Sequence, residues 1–134
     1  MGKQVRVQVA PENFAVPLPW VSVQFDEAVR LWHSNREVRY FAGVFEAFRW
    51  LSSLTSVRPV SRDEVLAEPA MILEELVRAG SVASGIPCPG APVGEIHPDW
   101  AFGVERTLLW ASGRATNGRP PLPWPGGRPP VLSC

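Results

Sequence analysis

The sequence predicts an α+β fold: one mostly helical domain of about four to five helices, with a small N-terminal β-ribbon or sheet and a Pro-rich C-terminal tail. Three observations carry this reading. Near the N-terminus, valines alternate with polar residues, the period-two signature of half-buried strands. Between residues 26 and 112, apolar residues recur at helical spacing. From Asn117 onward, proline or glycine fills half of the last eighteen positions, a density that no helix or inner strand survives. A chain of 134 residues, 46% apolar, can bury one core without metal or disulfide staples. Residues 1-116 therefore read as the globular α+β domain and 117-134 as a Pro/Gly-rich tail.

The β element rests on Val5, Val7 and Val9, and on Val21, Val23 and Phe25 beyond the proline-punctuated bend PENFAVPLP. A short helix is expected from Asp26 (DEAVRLWHS), which opens on acids and sets Asp26 four residues before Arg30. The segment 36–56 predicts the central helix. Arg39, Gly43, Glu46 and Ser53 fall within about 80° of arc, while Phe41, Val44, Phe45, Phe48 and Leu51 fill the other side. Trp50 breaks this pattern by falling among the polar positions; its ring is either covered by another segment or serves as a partner-binding anchor.

Ser61-Arg-Asp-Glu64 has the form of a capping box and predicts a helix start at Ser61. Pro69 would break that helix, so a restart with Pro69 in the first turn is expected. In the second piece Ile72, Leu73, Leu76 and Val77 form the apolar stripe, Glu74 pairs with Arg78, and Gly80 is the expected left-handed cap. The acidic neighbours Glu74-Glu75 and Asp63-Glu64 read as solvated surface. Residues 81–97, with Pro87, Pro89, Pro92 and three glycines, form a stiff connector. His97-Pro98-Asp99 opens the last helix, which runs to about Ser112 before Gly113. That helix has a main face of Trp100, Val104, Leu108 and Ala111, and a second apolar surface at Phe102 and Leu109. It is either sandwiched within the fold or docked on another chain.

Thirteen basic and thirteen acidic residues cancel, so no overall field draws in nucleic acid or anionic lipid. Twelve arginines against one lysine, with fifteen prolines and eleven glycines, fit the composition of a GC-rich, actinobacterial-like bacterial genome. The opening MGKQVRVQVAPENF lacks the apolar run of a signal peptide, and no stretch has the length of a membrane span. A cytoplasmic location without membrane contact is expected. In that compartment Cys88 and Cys134 are free thiols.

Reactive residue types are few. Cys88, His97 and Asp99 would make a Cys-His-Asp set if the connector folded back, giving a small Cys/His-dependent enzyme, but Cys88 is flanked by prolines and no base adjoins it in sequence. The two cysteines and two histidines lack zinc-ligand spacing, and no phosphate loop, nucleophile elbow or HExxH motif occurs; neither metal nor cofactor is expected. Arg30, Arg36 and Arg39, interleaved with Trp32, His33 and Tyr40, form the most basic aromatic stretch and offer a nucleic-acid-binding alternative, which Asp26, Glu27, Glu37 and Glu46 oppose. In the tail, Pro120 and Pro123 stand at PxxP spacing without arginines in register, whereas Trp124 suits an anchor holding the tail on its own domain or on a neighbour. The favoured reading is a non-enzymatic interaction or assembly module. It binds a protein partner or itself, as a homo-oligomer, through Trp50, Phe102, Leu109 and Trp124.

Overall fold

A computed structural model describes residues 10–132. They form four α-helices: α1 (Leu18–Ser34), α2 (Arg39–Leu51), α3 (Pro69–Ser84) and α4 (Pro98–Ala111). Short 3-10 turns occupy Pro11–Asn13, Thr116–Gly118 and Pro125–Gly127. Among the described residues there is no strand or sheet, only one isolated antiparallel bridge between Val57 and Glu64. The α+β expectation is therefore corrected to an all-helical fold.

Its second half failed for a visible reason. Val21, Val23 and Phe25 lie inside α1, which starts eight residues before Asp26, with proline in its first turn. The buried positions of α1 are Val21, Gln24, Phe25 and Ala28, spaced i, i+3, i+4, i+7. Gln24 hides this period by placing a polar residue on the inward face. Arg30 pairs with Glu27, three residues earlier. Val5, Val7 and Val9 lie outside the described residues.

Helices α2 and α4 are the central pair, and they meet backbone to backbone. A Cβ at Gly43 would stand 2.0 Å from the Trp100 carbonyl oxygen, and one at Gly103 would stand 2.3 Å from that of Tyr40. Gly43 belongs to this buried seam rather than to the polar line that its neighbours suggest. On one side of the pair, α3 closes a core of Trp50, Leu51, Ile72, Val82, Val104 and Leu108. On the other, α1 and the tail close a second core of Val21, Phe25, Val44, Phe48, Trp110 and Leu122. Helix α4 is thus sandwiched between α2 and α3.

The capping-box helix does not form. Residues 52–68 run as turns, with Arg62 in the left-handed region at φ 68°. The groups that would have capped it are taken by Glu75, whose carboxylate is fully buried and accepts from the Val60 N–H, the Ser61 N–H (2.8 Å) and the Ser61 hydroxyl. Arg58 completes the clasp. It donates two hydrogen bonds to Asp63, both 2.6 Å, and a third to Glu74, while Arg78 reaches the Ser61 hydroxyl at 2.8 Å. The solvated-surface reading fails at Glu75, which is a core residue; Asp63, Glu64 and Glu74 are exposed as expected, although Asp63 and Glu74 also hold the buried Arg58 guanidinium.

Helix α3 begins at Pro69, as the restart requires, but runs past Gly80 to Gly85, which takes the left-handed cap at φ 74°. Its inward face is Ile72, Glu75, Ala79 and Val82, so Leu73 and Val77 of the expected stripe point to solvent. Helix α4 opens as expected: the Asp99 N–H donates to Nδ1 of His97, the residue preceding Pro98 (3.1 Å).

Candidate functional site

Beyond Gly113 the chain turns back over α1 and α2 instead of leaving the domain. Leu122 is buried in the second core, and Gln24 of α1 receives it. The Gln24 side-chain amide donates to the Leu122 carbonyl (3.0 Å), and its oxygen accepts from the Leu122 N–H (3.1 Å). The Tyr40 hydroxyl donates to the Pro121 carbonyl at 2.5 Å, and the Trp20 indole N–H to the Pro130 carbonyl at 3.0 Å. Trp124 is half-buried, packed edge-on against Trp20 (5.7 Å between ring centroids) and Trp110 (6.0 Å). Prolines on both sides lower the entropy cost of ordering this segment, so a few anchors suffice.

Docking the tail leaves a cleft of about 680 Å³ between it and the α2–α4 pair. Phe102 and Arg106, one turn apart on α4, form one wall with Tyr40; Arg119 through Trp124 form the other. The lining is aromatic and proline-rich, with two guanidiniums and no carboxylate. Among the described residues neither Arg106 nor Arg119 takes part in an ion pair. Burial pushes the Tyr40 phenol above its ordinary pKa, and the neighbouring Arg106 guanidinium opposes that rise. Glu105, next in sequence to Arg106, lies with its carboxylate over Gly80 of α3; burial raises its pKa, and the Arg106 charge opposes that rise without an ion pair forming.

The four sequence-predicted contact residues separate. Phe102 is 46% exposed in the cleft and faces Tyr40 at 5.7 Å. Trp124 lines the same cleft while anchoring the tail. Leu109 is half-buried on α4 and lines neither this cleft nor the one at His97. Trp50 is fully buried, and its indole N–H donates to the Val65 carbonyl at 2.8 Å, so it offers a partner no surface.

The Cys-His-Asp set is not assembled. The Cys88 thiol approaches the carbonyl of its neighbour Pro89 at 3.8 Å, and among the described residues no hydrogen bond joins it to His97. His97 uses Nδ1 at the helix cap, with Asp99 4.0 Å away. A shallow cleft of about 330 Å³ brings His97 together with Arg39, Arg62, Glu95 and Trp100, and Cys88 is not part of it. The three arginines of the basic stretch do not converge either. Arg30 pairs with Glu27, Arg36 lies over the Trp32 ring at 4.1 Å, and Arg39 lines the His97 cleft. Among the described residues no group of three or more His, Cys, Asp or Glu stands in metal-binding proximity, and no helix is long and apolar enough to cross a membrane.

No sequence pattern marks Arg106 and Arg119 as a pair. The signal available was the i, i+4 spacing of Phe102 and Arg106, but Arg119 joins them only through the tail's return, which no local pattern encodes. No family model, curated protein or solved structure matches the chain.

Proposed function

We propose that this protein is a non-enzymatic interaction module whose binding surface is the cleft between the docked tail and the α2–α4 pair. The observation that carries the proposal is Phe102: a large ring left 46% exposed on an otherwise deeply packed helix, beside Tyr40 and Trp124 in a concave apolar surface. Exposed rings gathered in a concavity, with arginine nearby, have the composition of interface hot spots. The same reading places the protein in the cytoplasm, where Cys88 stays a free thiol.

The test is a photoreactive benzophenone side chain placed at position 102 in cells that make the protein. A discrete protein adduct is expected from position 102 and none from position 36, whose native arginine is stacked on Trp32. Matching adduct patterns from both positions would remove the support for this surface.

A further inference from the structure

We infer that the tail cleft takes an acidic peptide segment of a partner protein, in which an aromatic or aliphatic side chain is flanked by Asp or Glu; this inference rests on the proposed function. The cleft is complementary in charge to such a segment within an apolar lining. Arg106 stands on the helical wall and Arg119 on the tail wall, so the cleft carries a cation on each side of its aromatic lining. Several arginines elsewhere are engaged: Arg58 by Asp63 and Glu74, Arg78 by Glu74, Arg49 by Glu46, Arg30 by Glu27 and Arg36 by the Trp32 ring, while Arg39 and Arg62 line a cleft that holds its own carboxylate, Glu95. Arg106 and Arg119 have no carboxylate within ion-pair distance among the described residues, and none lines the cleft. A carboxylate from outside satisfies both, and a planar guanidinium holds it with two parallel hydrogen bonds.

The apolar half of the occupant follows from Phe102 and Trp124, whose ring surfaces gain most by covering an apolar side chain. A nucleic acid would also bring negative charge and stackable rings. It fits less well because each neutralised phosphate calls for its own cation along a track, and the cleft holds two. The neutral net charge of the chain adds no long-range pull on a polyanion.

The experiment is selection of a phage-displayed random octapeptide library on the full chain, followed by affinity measurement on the selected peptides. Selected peptides are expected to be enriched in Asp and Glu around an apolar residue. Their affinity should fall about tenfold or more in the Arg106→Gln, Arg119→Gln double variant and in Phe102→Ala, and weaken with added salt. It should stay unchanged in an Arg30→Gln, Arg36→Gln double variant, which tests for nonspecific charge effects. Selected peptides without acidic enrichment, bound equally by the arginine variant yet lost in Phe102→Ala, would overturn the acidic class and leave the interaction cleft standing. Enrichment of no peptide above the bare support would overturn both. Submicromolar binding of a labelled single-stranded oligothymidine, lost in the Arg106→Gln, Arg119→Gln variant, would replace the peptide by a nucleic acid.

Discussion

The side-chain amide of Gln24 makes both hydrogen bonds to a single backbone unit, that of Leu122, and so joins α1 to the tail across 98 residues. A glutamine carries one donor group and one acceptor in the spacing a peptide presents, so it substitutes for a neighbouring strand. This explains a fully buried glutamine among Val21, Phe25 and Ala28. It also makes the tail a wall of the fold rather than an appendage, and the cleft exists only because that wall is in place.

Gln24→Ala is expected to leave a buried N–H and a buried carbonyl unsatisfied, costing about 2–4 kcal/mol. Leu122→Ala removes a side chain 2% exposed in the second core and should cost about 2–5 kcal/mol. Truncation after Thr116 should lower the melting temperature while leaving the solution mass per particle that of the parent's oligomeric state, since the tail docks within its own chain. Urea unfolding and light scattering check these together. Unchanged stability in all three variants would mean that the tail is not held.

The α2–α4 seam makes a contrast among glycines. Gly43→Ala and Gly103→Ala would each drive a methyl into the facing helix backbone, at 2.0 and 2.3 Å, and are expected to cost several kcal/mol, on the order of 3 or more. Gly80→Ala meets only the movable end of Glu105 at 2.8 Å and gains helix propensity of about 1 kcal/mol, so it should be neutral or stabilising. Denaturant midpoints of the three variants decide this, and equal effects would contradict the seam.

The Arg58 clasp predicts a pH dependence. The guanidinium holds Asp63 and Glu74 below the ordinary carboxylate range, chiefly through the hydrogen bonds it donates. A carboxyl with a lowered folded-state pKa contributes stability that is present above its unfolded pKa and lost as pH falls through the folded value. The stability gap between the parent and Arg58→Gln should therefore be constant near neutrality and narrow below about pH 4. Both proteins share the remaining titrating groups, including Glu105, so these largely cancel in the difference. A gap that stays constant from pH 7 to pH 3 would contradict the clasp.

Among the described residues no hydrogen bond joins the Cys88 thiol to a base, so in a Cys134→Ser background it should alkylate no faster than a thiol in a short peptide, and His97→Ala should leave that rate unchanged. Fast labelling that vanishes in His97→Ala would show a functional pair.

Much of the helical order was legible because its signals are local. Pro69 and Pro98 open helices, Gly113 follows the last one, and the pattern of 39–51 marks the central helix. What the sequence hid depends on distant partners. Gln24 and Glu75 are polar residues on inward faces, each justified by backbone groups far along the chain, and each shifts the apparent period of its helix. The capping box at Ser61 failed because Glu75 bonds the same groups. Gly43 looked polar by position, yet it is small for the sake of Trp100. For the cleft, Phe102 and Trp124 were legible as unpartnered apolar residues, whereas Arg106 and Arg119 become neighbours only through the tail's return.

The most direct test is a chemical-shift map of the full chain titrated with an acidic peptide from the selection. The shifts are expected to concentrate on Phe102, Arg106 and residues 119–124, with the Trp124 indole N–H among the largest. A map centred instead on Arg39, Arg62 and His97, or one spread evenly over the exposed arginines, would contradict binding in the cleft.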